Sequence, residues 1–139
     1  MRIREFRLDD YAVVFELWKT AGLEIRPGDQ FEDVKLKVRR DPDLFLVAEE
    51  GEQIVGTVMG AWDGRRGWIY HLAVRPDHQR KGIGATLVST LERRLAAKGA
   101  SRVNAQVYSS NKASLEFFKA AGYEPRPDLI MIGKPLRRS

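Results

Sequence analysis

Three strand-length apolar runs stand between residues 44 and 74, and only short turns separate them. The first, LFLVAEE (44–50), is almost continuously apolar and reads as a buried strand. EGEQ turns the chain into IVGTVMGAWD (54–63), and DGRRG turns it again into WIYHLAV (68–74). Turns this short join antiparallel neighbours, because a parallel crossover needs about a dozen residues or more. The stretch must therefore fold as a meander. Pro76 ends its last strand, since proline has no N–H to give to a ladder.

The flanking segments supply what packs on this sheet. RIREFRL (2–8) alternates charged residues with Ile3, Phe6 and Leu8, and reads as a first strand. Asp9 or Asp10 is placed to cap a helix over YAVVFELWKTA (11–21), with Gly22 at its end. GLEIRPGD (22–29) is a loop by its Gly and Pro, and Asp29 is placed to cap a second helix over QFEDVKLKVRR (30–40). After the meander, Leu87, Val88, Leu91 and Leu95 recur at helical spacing through ATLVSTLERRLAAK (85–98), and Gly99 follows. RVNAQVY (102–108) is a strand, NKASLEFFKAAG (111–122) a helix with Asn111 as its cap, and LIMIGKPL (129–136) a closing strand. The order βααβββαβαβ predicts one α/β (α+β) domain over residues 1–139, a mixed and mostly antiparallel sheet with helices on both faces. A chain of 139 residues, 43% hydrophobic and 31% charged, can bury such a core.

Composition removes several chemistries. With no cysteine there is no disulfide, no thiolate metal site and no cysteine nucleophile. His71 and His78 have no carboxylate cluster beside them, so no metal is expected. The charged start MRIREFRLDDY lacks a signal-peptide core, and no run approaches the ~20 apolar residues of a membrane span. A cytoplasmic protein with no membrane partner is expected. The net charge of +5 suits nucleic acid or a polyanionic cofactor. A solvated basic surface accounts for most of these charges, and with no nucleic-acid recognition motif present no nucleic-acid partner is expected.

Two glycines stand where the third helix begins. In HQRKGIGATL (78–87), Arg80 and Lys81 precede Gly82 and Gly84, and an apolar helical run follows. A helix start presents unpaired N–H groups and a positive dipole end, and glycine lets a phosphate approach the backbone. The Walker loop fails here, because Lys81 comes before the first glycine. The dinucleotide fingerprint is a weak match, because Leu87 stands where its third glycine belongs and the preceding strands read as a meander. VRPDHQRKGIGATLV instead resembles motif A of the GNAT acetyltransferases, Gln/Arg-x-x-Gly-x-Gly/Ala, through Gln79, Gly82 and Gly84. NKASLEFFKAAGY resembles that family's second signature through Asn111, Phe118, Gly122 and Tyr123. The order of elements matches along nearly the whole chain, and LWKT, LFLVAEE and VGTVMGAWDGRRG resemble the small bacterial YpeA-like acetyltransferases.

The resemblance implies the acyl-CoA N-acyltransferase fold, with a V-shaped splay between the fourth and fifth strands. It implies acetyl-CoA as co-substrate. The pantetheine arm would pair with the backbone of Leu72, Ala73 and Val74 like an added strand, and the pyrophosphate would sit on N–H groups of Arg80, Lys81, Gly82, Ile83, Gly84 and Ala85, with Gln79 beside them. Asn111 and Phe118 would meet the cofactor from the other side. The implied reaction is direct attack by a primary amine of a small molecule or peptide on the thioester, in a monomer or homodimer. The Leu72 N–H would stabilise the oxygen where charge develops.

An alkyl amine is mostly protonated at neutral pH, so a base or a water chain is required. The family's glutamate or histidine base matches Trp68 or Tyr70, both aromatic here. Tyr70 could order a water, and Glu24 and Asp63 are remote alternatives. By strand alternation Trp68, Tyr70 and Leu72 share one face and Ile69, His71 and Ala73 the other, which makes His71 a core histidine packed against a helix. Where many members carry a tyrosine acid for the thiolate, this chain has Phe118, leaving Tyr108 or water to protonate it. The resemblance places the acceptor against the first two helices and their loop, which supplies Glu24, Arg26 and Asp29, with Tyr70 beside it and Trp18 and Trp62 as apolar walls. A non-catalytic acyl-CoA-binding sensor is the alternative, prompted by the missing base and by Phe118.

Overall fold

Strand β1 (Arg2–Glu5), helices α1 (Tyr11–Thr20) and α2 (Phe31–Arg40), and strands β2 (Phe45–Glu50), β3 (Gln53–Trp62) and β4 (Gly67–Val74) follow in chain order. Helix α3 (Ile83–Lys98), strand β5 (Val103–Ala105) and helix α4 (Lys112–Ala120) complete the computed structural model, which describes residues 1–136. It divides into two compact units, residues 1–107 and the segment from Tyr108 onward.

The first unit holds a five-stranded sheet in the order β1-β2-β3-β4-β5. Its first three pairings are antiparallel, as short turns require, and β4–β5 is parallel across helix α3. On one face Val14, Leu17 and Trp18 of α1 and Val34 of α2 pack with Phe6, Phe45, Val47 and Ala73. On the other, Ile83, Leu87, Leu91 and Leu95 of α3 are all buried. That helix lies very close to the sheet. A Cβ added at Gly60 would come within 2.7 Å of a Leu91 methyl, and one at Gly67 within 2.6 Å of a Leu95 methyl. A larger residue at either position forces the Leu91 or Leu95 side chain to shift.

One edge of the first unit is closed by charge. The Arg4 guanidinium forks onto Asp10 at 2.9 and 3.1 Å and reaches Glu49 at 3.0 Å, and both Arg4 and Asp10 are buried. Burial pushes the Asp10 carboxyl up, but hydrogen bonds from Arg4 and the Arg7 N–H outweigh it and hold the group below its ordinary value. Asp10 thus closes the turn before α1 by accepting from Arg7 N at 2.8 Å, and makes no side-chain cap on α1 itself.

In the second unit, Asn111 caps α4 by accepting from the Ser114 N–H at 3.1 Å, and Gly122 (φ 97°) follows the helix end, as expected. Two expectations are corrected. Residues 129–136 form no strand; Leu129, Ile130, Met131, Ile132 and Leu136 are exposed, so an apolar pattern alone did not bring a ladder partner. The fifth strand is three residues long and not seven, because β4 departs from it.

Candidate functional site

Strand β4 carries an irregularity at its centre. Thr57 pairs with Ala73 and Met59 with Tyr70, so the single residue Val58 on β3 faces both His71 and Leu72. This bulge puts His71 at φ 52°, a left-handed conformation rare outside glycine. Such backbone costs on the order of 1–3 kcal/mol and concentrates at functional sites.

The bulge overturns the expected alternation. Ile69 pairs with Gly60, whose face meets Leu91 of α3. Tyr70, opposite Met59, lies on the α1 side, and the bulge keeps His71 on that side too. The His71 ring packs edge-on against Trp18 at 5.0 Å. Leu72 turns to the α3 side, away from Tyr70, and Ala73 returns to the α1 side.

The bulge also opens the sheet. The β4–β5 ladder spans only Gly67–Ile69 against Val103–Ala105, with a last rung from Gln106 N to Ile69 O at 3.2 Å. Past that rung, among the described residues, the Tyr70–Val74 edge of β4 has no strand partner on the β5 side. This is the expected splay. Its main-chain groups at Leu72, Ala73 and Val74 can receive an extended ligand as an added strand. The Gln79 side chain donates to Val74 O at 3.2 Å and so ties the following loop to this edge.

That loop ends in the start of α3. Arg80 (φ 68°) and Gly82 (φ 80°) are both left-handed, which turns successive N–H groups inward as an anion-binding concavity requires. The first helical bond is Thr86 N to Gly82 O at 3.0 Å, so the N–H groups of Ile83, Gly84 and Ala85 have no acceptor within the helix, and no side chain caps it. Nothing lies within 4 Å of a Cβ added at Gly82, so that side of the turn is open. The helix begins at Ile83, two residues before the expected start, so Gly84 lies in its first turn. Arg80, Lys81 and Ala85 are exposed.

On the α1 side of β4, the loop between α1 and α2 folds over the bulge. Asp29 was expected to cap α2, but Gln30 holds the cap position. The Asp29 carboxylate instead accepts from Arg26 N at 2.9 Å and lies 2.8 Å from His71 Nε2. Its main-chain oxygen accepts from the Tyr11 hydroxyl at 2.7 Å. Arg26 forms an ion pair with Glu24. Tyr70 is half-buried, and burial raises its hydroxyl above the ordinary value. Asp63 is held down to about 2 by the Arg66 N–H, the Trp68 indole and the Arg65 N–H, which makes it a poor base. Trp18 is fully buried, so it belongs to the core and not to an acceptor wall.

The Acetyltransferase (GNAT) family profile matches residues 5–123. The chain belongs to the GNAT acetyltransferases. It is 41% identical to an acetyltransferase of Sodalis glossinidius over 137 residues, 98% of this chain and 96% of that one. It is 43% identical, over the same shares, to an acetyltransferase of Pectobacterium atrosepticum. Among solved structures, an aminoglycoside 6'-N-acetyltransferase of Acinetobacter haemolyticus shares the fold with a TM-score of 0.80, 14% identity and coverage of 99% and 100%. The PaiA N-acetyltransferase of Thermoplasma acidophilum, in complex with coenzyme A, superposes with a TM-score of 0.78 at 19% identity, covering 88% of this chain and 89% of that one.

This GNAT acetyltransferase therefore carries its candidate cofactor residues on two adjoining features of one unit, the free edge of β4 and the start of α3. The second unit holds the remaining candidates. There Phe118 is buried against Phe117 and Tyr123, at 5.1 and 5.2 Å, and Tyr108 is exposed. Sequence reasoning missed the contact between His71 and Asp29, 42 positions apart. Its only signal was a histidine in an otherwise apolar strand.

Proposed function

We propose that this acyltransferase moves the acetyl group of acetyl-CoA to a primary amine of a small molecule or peptide, by direct attack while both substrates are bound. The observation that carries the reading is the free Tyr70–Val74 edge of β4 leading directly into the uncapped, glycine-opened start of α3. The edge suits an amide-bearing arm and the helix start suits a pyrophosphate. The Leu72 N–H, at the bulge, is the donor for the thioester oxygen as charge develops there. The absence of cysteine agrees with transfer that forms no cysteine-linked acyl-enzyme. Departing thiolate is a fair leaving group unaided, its ordinary pKa lying near 8.5. Water therefore protonates it, and Phe118 needs no hydroxyl.

The test is thiol release from acetyl-CoA with amino acids, polyamines, aminoglycosides and peptides as acceptors. Turnover with at least one amine is expected. A protein that binds CoA tightly and acetylates none of them would instead be a non-catalytic acyl-CoA sensor, the reading that Phe118 and the aromatic pair Trp68 and Tyr70 favour.

A further inference from the structure

The reaction just proposed needs a group that removes a proton from an alkylammonium, and neither Trp68 nor Tyr70 supplies one. The geometry points to His71 as that base, with Asp29 as its positioning residue. The inference rests on the acetyl-transfer reading and adds a catalytic residue to it.

Four observations converge on this pair. The bulge rotates His71 out of line with Ile69 and onto the side of the sheet where Tyr70 and the α1–α2 loop lie. The bulge holds the residue at φ 52°, strained backbone of the kind that concentrates at functional sites. Asp29 Oδ1 sits 2.8 Å from His71 Nε2, and the carboxylate is itself fixed by the Arg26 N–H. A carboxylate acceptor places the proton on Nε2 and leaves the lone pair on Nδ1. Finally, Asp29 keeps 7% of its side-chain surface exposed and His71 keeps 27%, so the imidazole is the partner that reaches outward. His71 also directly precedes Leu72, the proposed oxyanion donor, so base and donor occupy consecutive positions of one bulge.

The step balances as follows. His71 Nδ1 takes one proton from the alkylammonium, directly or through one water, and the imidazolium formed is stabilised by Asp29. The freed nitrogen lone pair bonds to the thioester carbon, the carbon–sulfur bond breaks, and its electron pair leaves on sulfur. The second nitrogen proton passes through water to the thiolate, and the imidazolium returns its proton to solvent. Among the described residues, His71 faces Asp29 of the α1–α2 loop, which also holds the Tyr11 hydroxyl of α1, and neighbours Tyr70 on its own strand; Trp18, from α1, does not titrate.

The experiment compares kcat/KM for the best alkyl amine from the acceptor panel in wild type, His71→Gln and Asp29→Asn, from pH 7 to 9.5. Melting with and without CoA checks each fold. At pH 7 His71→Gln should lose about 10²-fold, within the usual range for a general base. Its deficit should shrink about tenfold per pH unit, as the amine loses its own proton on approach to its pKa of about 10.4. Asp29→Asn should lose less and show the same convergence. A deficit that stays constant with pH would overturn the proposal and leave His71 a packing residue, as would undiminished activity at pH 7. Should His71→Gln fail to fold, Asp29→Asn decides by the same criterion. Absence of turnover in the wild type would refute acetyl transfer itself, a separate result.

Discussion

Replacing Gly82 with Asp separates the two roles of the left-handed turn at the start of α3. Gly82 has φ 80°, and nothing lies within 4 Å of an added Cβ, so the substitution creates no clash and its cost to the fold is conformational. That cost is roughly 1–2 kcal/mol, at the lower end for Asp, which tolerates left-handed backbone. An unfolding entropy of about 2.1 cal/mol/K per residue gives about 0.3 kcal/mol/K for 139 residues. The apo protein should thus melt roughly 3–4 °C lower. CoA at about 100 times its Kd adds roughly 2.7 kcal/mol to the wild type, or about 9 °C on the same scale. With the pyrophosphate at this helix start, as proposed, the added carboxylate opposes its charge and this second shift should vanish. The assay is thermal melting of both proteins with and without CoA. A CoA shift of wild-type size in Gly82→Asp would place the pyrophosphate elsewhere.

Further outcomes follow from other parts of the structure. Arg26→Ala should lower kcat/KM for an anionic acceptor by tenfold or more, the usual loss with a charged hydrogen bond, while leaving the CoA melting shift intact. Phe118→Tyr puts a hydroxyl into a buried ring cluster and should cost roughly 1–3 kcal/mol in thermal unfolding with no gain in kcat, while Tyr108→Phe should leave kcat nearly unchanged. The Asp10 carboxyl is held below its ordinary value in the fold, so its contribution is full above the unfolded value and fades as pH falls through the folded one. Asp10→Asn should therefore cost on the order of 2 kcal/mol at neutral pH and flatten the acid side of a melting-temperature profile.

Much of the molecule was legible in its residues, wherever local pattern and local physics agree. The meander, the two N-terminal helices and α3 were each read to within two or three residues. The glycine-opened, uncapped helix start was visible because Gly82 and Gly84 are poor helix residues. The bulge was not legible, since an extra residue in β4 leaves apolar content unchanged and shows only in its register with β3. Missing it put Leu72 on the face of Tyr70 and His71 on that of Ile69, although the expected packing of His71 against a helix is met by Trp18 of α1. The Asp29–His71 contact was equally invisible, because a hydrogen bond across 42 positions has no period. LIMI at 129–132 shows the opposite failure, a strand-like composition for which no ladder formed among the described residues.

The glycine-floored seat of α3 has a mechanical consequence. The helix is pinned where Leu91 and Leu95 press into the sheet at Gly60 and Gly67, and its first turn at Ile83 is the proposed pyrophosphate seat. Eight residues of rise separate Leu91 from that turn, about 12 Å. The helix acts as a stiff lever whose fulcrum is a pair of missing side chains. A single methyl at position 60 should push Leu91 from its seat, and a tilt of the helix that follows should show as a smaller CoA melting shift.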